Sequence, residues 1–207
     1  MWLFRTFLFF IVLFCSLSFV SAQQNLRIAV MNFENHSSYG GKKYSQKAAD
    51  LMMNELTKSG VFTVVERKRL DALLQEQDFQ SSGNVDPQTA VKIGKMLGAD
   101  IVVLGTIDKL GVGTKKIRVG DSTITRYSAF ANVNIRAVNV QTGAILFSDS
   151  DEASVDAKSA TVPGYDMGSN TPSVDGPLKT TIQRLSKRFI ETMKSPDNRQ
   201  KGKPSVL

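Results

Sequence analysis

The sequence predicts an α/β domain in which helices pack against a mixed sheet, in the order β-α-β-α-α-β, followed by an antiparallel hairpin and a C-terminal helix. Three apolar runs rich in β-formers, "LRIAVMNF", "VFTVVER" and "ADIVVLGTI", are typical of buried strands. Segments with helical spacing separate these runs. The turn Gln141-Thr142-Gly143 then joins two further strand-like runs.

The first β-α unit begins with the run from Leu26 to Phe33, which is apolar enough for burial on both faces. Ser45 is predicted to cap the following helix, "SQKAADLMMNELTKSG". Ala49, Met52, Met53 and Leu56 recur there at helical spacing, and Gly60 ends the helix.

The next elements alternate in the same way. The strand "VFTVVER" leads into a short leucine-rich helix, "KRLDALLQEQ". After the loop "QSSGNVD", Pro87 opens a helix that Gly98 closes, and "ADIVVLGTI" is the third buried strand. This alternation indicates helices packed against a sheet.

The second half of the domain differs from the first in residue composition and in its apolar pattern. Asp108 to Tyr127, "DKLGVGTKKIRVGDSTITRY", is predicted as a glycine-rich, charged loop or hairpin. Ala129 to Val140 alternates apolar and polar residues, which indicates a half-exposed strand paired with "AILFSDS". Asp151 to Gly176 has no periodicity and is predicted as a long loop. An apolar stripe then predicts a helix from Asp175 to about Met193.

The N-terminus has the features of an export signal. Arg5 precedes an apolar run, and Val20-Ser21-Ala22 provides small residues for cleavage, so residues 1–22 are predicted as a signal peptide and the mature chain begins at Gln23. An uncleaved anchor is the alternative. Cys15, the only cysteine, follows Phe14 rather than a small residue, so lipidation is not predicted there. The prediction is therefore a periplasmic protein without disulfides.

The C-terminus carries much of the positive charge of the chain, whose net charge is +7. Residues 194–207, "KSPDNRQKGKPSVL", are predicted as a basic, disordered tail that follows a domain of residues 23–193. Such a tail is typical of a solubilising segment. No nucleic-acid partner is predicted, because an exported protein rarely meets nucleic acid.

Three segments carry a family resemblance: "GVFTVVERKRLDALLQEQ", "AVKIGKMLGADIVVLGTI" and "NIRAVNVQTGAILFS". Together they resemble the curli production assembly/transport (CsgG) family, whose broader group includes lipoprotein activators of penicillin-binding proteins and the N-terminal domain of TolB. The resemblance covers about Arg27 to Met193, and Glu66 and Arg67 belong to its motif. It implies an envelope-associated protein without catalytic activity.

One branch of this family resembles a lipid-anchored secretion channel in which each subunit inserts two hairpins into the outer membrane. The segment matching the first hairpin, Leu110 to Ala131, includes adjacent lysines at positions 115 and 116, one of which would face lipid in a regular strand. The segment matching the second, Ser148 to Gly176, is acidic and contains prolines. A channel subunit is therefore retained only as the alternative function.

The remaining motifs favour structural roles. "YGGKKYS" lacks the first glycine of a phosphate-binding loop, and "LGVGTKKIRVG" lacks the third glycine of a dinucleotide-binding turn, so no cofactor is predicted. His36 is the only histidine and is interpreted as a surface residue, with Glu34 as its nearest acid. Asn35-His36-Ser37 matches a glycosylation sequon, a short pattern of low specificity. Glu66 and Arg67 are predicted to form a salt bridge or a helix-start contact. No metal site or catalytic triad is predicted.

These observations predict an exported periplasmic protein that binds or assembles other components of the cell envelope and does not catalyse a reaction. The predicted partners are envelope proteins, with a homo-oligomer as a further option and without membrane insertion. Lys115, Lys116 and Arg118 form the candidate partner-binding loop. The alternating strand from Ala129 to Val140 and its partner also offer edges to which another strand can add.

Overall fold

The structure is a computed structural model that describes residues 25–76, 87–120, 122–162, 165–166, 172–195, 198 and 202. The predicted signal peptide, the loop "QSSGNVD" and most of the predicted C-terminal tail lie outside the described residues. The helices of the described part are α1 (Gly41–Ser59), α2 (Arg67–Glu76), α3 (Pro87–Leu97) and α4 (Asp175–Lys194). Its strands are β1 (Leu26–Val30), β2 (Glu34–Asn35), β3 (Phe62–Val64), β4 (Ile101–Val119), β5 (Ser122–Asn139), β6 (Ile145–Val162) and β7 (Tyr165–Asp166).

All the described strands form one mixed sheet in the order β3-β1-β4-β5-β6-β7, with β2 beside β4. β1 runs parallel to both β3 and β4, because helices make the crossovers between them. β4, β5, β6 and β7 follow as antiparallel neighbours. The predicted α/β fold, with its mixed sheet and final hairpin and helix, is confirmed.

Helices cover both faces of one end of the sheet. Helices α1 and α4 pack on the first face, where Ile28, Ile101 and Phe189 are fully buried. Helices α2 and α3 pack on the second face, where Ile93 of α3 and Val102 of β4 are fully buried. This arrangement explains the continuous apolar character of β1 and of the start of β4, which are buried on both sides. We call this three-layered part the body.

Helix α1 begins four residues earlier than the sequence predicted. It starts at Gly41, and the hydroxyl of Ser45 donates to the carbonyl of Gly41 at 3.4 Å rather than capping the helix. Gly40 precedes the helix with φ of 71°, and a Cβ there would lie 2.1 Å from the Tyr44 ring. A glycine therefore makes this turn, and the prediction of Ser45 as the cap is wrong.

Strands form in the segment predicted as a loop or hairpin and in part of the segment predicted as a long loop. Gly111 to Val119 continues β4 and pairs residue by residue with β5. Asp151 to Val162 continues β6, and Tyr165–Asp166 adds the short β7. Serine, aspartate and glycine have weak strand preference, but pairing along both edges of β5 overrides that preference here. The hairpin alternative is therefore the one observed for the first range, and the prediction of a loop is wrong over Asp151 to Val162 and Tyr165–Asp166.

A β-bulge separates the two parts of β4. The register with β5 shifts between Ile107 and Lys109, which leaves Asp108 as the extra residue. The shift keeps Leu110 and Val112 on the same face as Ile107, so the first core continues past the bulge. β4 can therefore leave the body without exposing these apolar side chains.

Two residues of the C-terminal segment contact the body. The amide of Asn198 donates to the carbonyl of Thr192 at 3.0 Å. Gly202 is buried, and a Cβ there would lie 3.1 Å from Leu26 and 3.5 Å from Ile101. At these two positions the chain lies against the domain.

Candidate functional site

Past Ile107 the sheet continues as three strands, which we call the extension. It consists of Lys109–Val119 of β4, Ser122–Asn132 of β5 and Glu152–Val162 of β6. β1 and β2 pair with β4 only as far as Ile107, so no described strand lies along the outer edge of β4 beyond that point. An edge of this kind presents backbone N–H and C=O groups to which another strand can add.

The three predicted partner-binding residues lie on this free strand rather than in a loop. Lys115, Lys116 and Arg118 are all exposed. Because side chains alternate along a strand, Lys115 lies on one face of the extension and the other two lie on the opposite face. Among the described residues, none of the three makes an ion pair.

Two further cations adjoin these residues, and the sequence analysis did not assign them to the site. Arg126 on β5 lies directly opposite Lys115 in the strand register, and both side chains are exposed. Like charges in this position repel each other. Lys109 is exposed at the start of the free edge. Only the pairing register brings Arg126 beside Lys115, so a linear motif could not have shown this cluster.

The outer strand on the other side, β6, has the opposite charge and is held differently. Asp149 accepts a hydrogen bond from Nε of Arg188 on α4 at 2.5 Å. Asp151 lies 3.7 Å from Arg188 and 4.0 Å from Arg184. The acids are two residues apart on a strand and the arginines are four apart on a helix, so each pair shares a face. These carboxylates therefore have partners within the chain.

A shallow pocket of about 330 Å³ lies on the face of the extension opposite α4. Its lining includes Lys109, Phe130, Asn132, Glu152 and Ser154. The amide of Asn132 donates to Glu152 at 3.4 Å, and the Phe130 ring lies beside Gly111, whose hydrogen leaves it room. The pocket combines one cation, one carboxylate and one aromatic ring on an open surface.

The family-motif residues Glu66 and Arg67 lie in the body. The backbone carbonyl of Glu66 accepts hydrogen bonds from the N–H groups of Arg69 and Leu70 at the start of α2. Arg67, the first residue of α2, contacts two other segments and one residue of its own helix, and its side chain is only 20% exposed. Its partners are Asn32 after β1, Asp50 on α1 at 3.2 Å and Asp71 on α2 at 3.6 Å. The arrangement links these elements and leaves the guanidinium little exposed surface.

The loop between β2 and α1 is organised by Asn35. Its amide donates to the carbonyls of Tyr39 and Gly41, and its Oδ1 accepts from the backbone N–H of Ser37. The amide of the sequon is therefore occupied by hydrogen bonds that shape the loop. His36 is exposed and lies 3.1 Å from Glu34, as expected for a surface residue.

An ion pair joins α1 to the start of α4. Nζ of Lys47 lies 2.7 Å from Oδ1 of Asp175, and this contact is the main reason that the pKa of the Asp175 carboxyl is below its ordinary value. The neighbouring Tyr44 has a raised pKa, chiefly because its hydroxyl is partly desolvated and then because Asp175 is near. These groups hold two helices together at the protein surface.

The described residues offer neither a metal site nor a membrane-spanning helix. No group of three or more His, Cys, Asp or Glu side chains in this part of the chain could hold a metal ion. None of its helices has the length and apolarity needed to cross a membrane. Within the described part, the prominent chemical feature is the cluster of unpaired cations on the extension, which is suited to bind acidic groups.

The chain is similar to several solved structures. Lipoprotein GNA1162 from Neisseria meningitidis aligns with a TM-score of 0.51 at 14% identity, over 80% of this chain and 99% of that chain. The LpoB C-terminal domain from Escherichia coli aligns with a TM-score of 0.46 at 19% identity, over 62% and 82% of the two chains. A PelC dodecamer from Paraburkholderia phytofirmans gives 0.46 at 11% identity, over 78% and 86%.

No curated protein matches the chain at a significant level. Comparison with protein families gives a match over residues 14–199, which includes the body, the extension and the motif residues Glu66 and Arg67. The match confirms the resemblance found in the sequence and points to an assembly- or transport-related protein of the cell envelope. This chain belongs to the CsgG family of curli production assembly/transport components.

Proposed function

We propose that this chain is an exported periplasmic protein that acts as a non-catalytic binding or assembly component in cell-envelope transport or biogenesis. The observation that carries the proposal is the extension, which projects from a well-packed body and presents unpaired cations along a free strand edge. Family membership supplies the envelope context. The partner is an envelope protein, and a second copy of the chain is a further partner to consider.

Localisation follows from the sequence. Residues 1–22 direct export, cleavage leaves Gln23 as the first residue, and Cys15 is removed without receiving lipid. The intact mass of the protein recovered from the periplasm tests each of these statements. A mass that includes Cys15 with an added lipid would contradict this localisation.

The alternative is an outer-membrane secretion channel subunit of the curli type. It gains support from one observation, because the described residues of the first matching segment, apart from the turn at Gly120, and the part of the second from Ser148 to Val162 are strands rather than loops. Against it, the exposed cations lie on both faces of the extension, with Lys115 on one face and Lys116 on the other. Lysine facing lipid near the middle of a bilayer costs ~2–4 kcal/mol.

One experiment separates the two functions. The chain from Gln23 to Leu207 contains every described residue, and its native mass is measured without detergent while the host envelope is fractionated. A monomer or small oligomer in the periplasmic fraction supports the proposed function. A large assembly that pellets with the outer membrane and requires detergent would instead support the channel.

A further inference from the structure

The two outer strands of the extension differ in how their charges are satisfied. On β6, Asp149 and Asp151 at the base of the strand pair with Arg184 and Arg188 of α4. On β4, the cations have no carboxylate partner among the described residues. The positive strand therefore has unmet charge, whereas the two carboxylates at the base of β6 have counter-charges on α4. Further along β6, Glu152 and Asp156 contact the neutral side chains of Asn132 and Ser128.

The backbone of β4 is also unsatisfied on one side. From Lys109 to Val119 it pairs with β5 on one edge, and no described strand pairs with the other. At about 3.3 Å per residue this free edge is roughly 33 Å long, which is enough for a peptide strand of about ten residues. Lysines on an edge discourage pairing with unselected strands but attract a strand that carries acids.

We propose that the free edge of β4 is a strand-addition site for an extended acidic segment of a partner protein. The added strand donates and accepts backbone hydrogen bonds along Lys109–Val119, and its carboxylates lie beside Lys115 on one face and beside Lys116 and Arg118 on the other. Bound carboxylates also relieve the repulsion between Lys115 and Arg126. This inference rests on the proposed binding function and names the chemistry of its partner.

The first test uses a fluorescent peptide of about ten residues in which pairs of glutamates alternate with pairs of threonines, so that carboxylates project from both faces of the added strand. Its affinity for the chain from Gln23 to Leu207 is measured by anisotropy, with a lysine–threonine peptide as the charge control. We expect the acidic peptide to bind at least tenfold more tightly, and more weakly as salt is added. Equal binding of the two peptides would overturn the proposal.

The second test locates the site. Replacing three cations of the edge together, Lys115→Glu, Lys116→Glu and Arg118→Glu, should weaken binding of the acidic peptide at least tenfold. The matched control is Lys92→Glu with Lys95→Glu, which reverses two exposed cations on α3. An unchanged melting temperature shows that the variants are folded. Loss of binding in the α3 variant alone would overturn the assignment to β4.

The third test distinguishes strand addition from attraction by charge. Two acidic peptides carry N-methyl groups on alternate amides, one on the odd positions and one on the even positions. Only one set of amides can face β4, so one peptide should lose binding at least tenfold and the other should retain it. Equal binding of both would leave charge as the only attraction and overturn strand addition.

Other occupants of the edge give different results. A second copy of the chain occupies the edge if three results occur together. The native mass rises with protein concentration, the triple variant abolishes that rise, and the acidic peptide does not bind. If vesicles with anionic lipid bind and the peptide does not, the edge belongs to a lipid surface. Either result overturns the acidic-segment proposal, and neither changes the localisation test of the proposed function.

Discussion

The body and the extension are parts of one sheet, but they use their side chains in opposite ways. In the body, β4 is buried on both faces, and Ile101, Val102 and Val103 are at most 1% exposed. In the extension the same strand carries exposed cations and has only one neighbour. The apolar pattern of β4 continues through Leu110 and Val112, and the residues from Thr114 to Arg118 contribute surface rather than core.

The largest expected difference in stability between the body and the extension is between substitutions of two phenylalanines. Phe189 is fully buried and its ring centroid lies 5.5 Å from Phe62 and 5.3 Å from Phe147. Phe189→Ala should lower the free energy of unfolding by about 3–5 kcal/mol, because it removes contacts and leaves a cavity. The control Phe130→Ala, at an extension residue that is 36% exposed, should cost less than about 1 kcal/mol. Urea unfolding measures both, and equal losses would contradict the comparison.

A pair of glycines on β4 tests packing on the two sides of the bulge. A Cβ at Gly105 would lie 2.4 Å from the buried Phe33 ring, so Gly105→Ala should cost about 1–3 kcal/mol. At Gly113 the nearest atom would be 3.8 Å away, so Gly113→Ala should be close to neutral. Thermal unfolding of the two variants gives the comparison. A large loss at Gly113 would show that the extension is packed more tightly than its exposure indicates.

Two arginines test whether a charged side chain stabilises the body more than the extension. Arg67→Ala removes the links to Asn32, Asp50 and Asp71 and should cost about 1 kcal/mol or slightly more, since the side chain is partly buried. Arg118→Ala should leave the free energy of unfolding unchanged within about 0.5 kcal/mol. Denaturant unfolding measures both variants. If Arg67→Ala were neutral, the family motif would need another explanation.

The smallest expected effect is the acid dependence of the pair between Lys47 and Asp175. The pKa of Asp175 is lowered in the folded protein, so its contribution to stability is present above the ordinary aspartate pKa of about 3.9 and is lost as the pH falls through the lower folded value. Lys47→Met should make the unfolding free energy fall less at acidic pH than it does in the unsubstituted chain. The difference in unfolding free energy between the two proteins, measured from pH 7 to pH 2, should therefore shrink below about pH 4. A difference that stays constant would contradict the linkage.

The order of elements in the body could be predicted from sequence because its signals are local. Apolar runs gave β1 and the first part of β4, and Pro87 and Gly98 marked the ends of α3. The start of α1 was missed because the turn depends on the positive φ of Gly40, a backbone feature that Ser45 obscured. Family resemblance was also readable, since its motifs lie in these local segments.

The extension could not be predicted in the same way because its structure depends on pairing between distant segments. Lys115 and Arg126 are eleven positions apart in the chain and directly opposite each other in the sheet. The stretch from Asp151 to Val162 has loop-like composition and becomes a strand through its register with β5. The sequence indicated Lys115, Lys116 and Arg118 as candidates, whereas the free edge on which they lie depends on strand pairing and could not be predicted.

Hydrogen exchange along β4, with and without the acidic peptide, tests most directly the claim that the body holds the fold and the extension binds. Without peptide, we expect the amides of Ile101–Val103 to exchange much more slowly than those of Gly113–Val119. With peptide, exchange should slow along Lys109–Val119, while the body is unchanged. Uniform protection along the strand, or slowing confined to the body, would contradict the account.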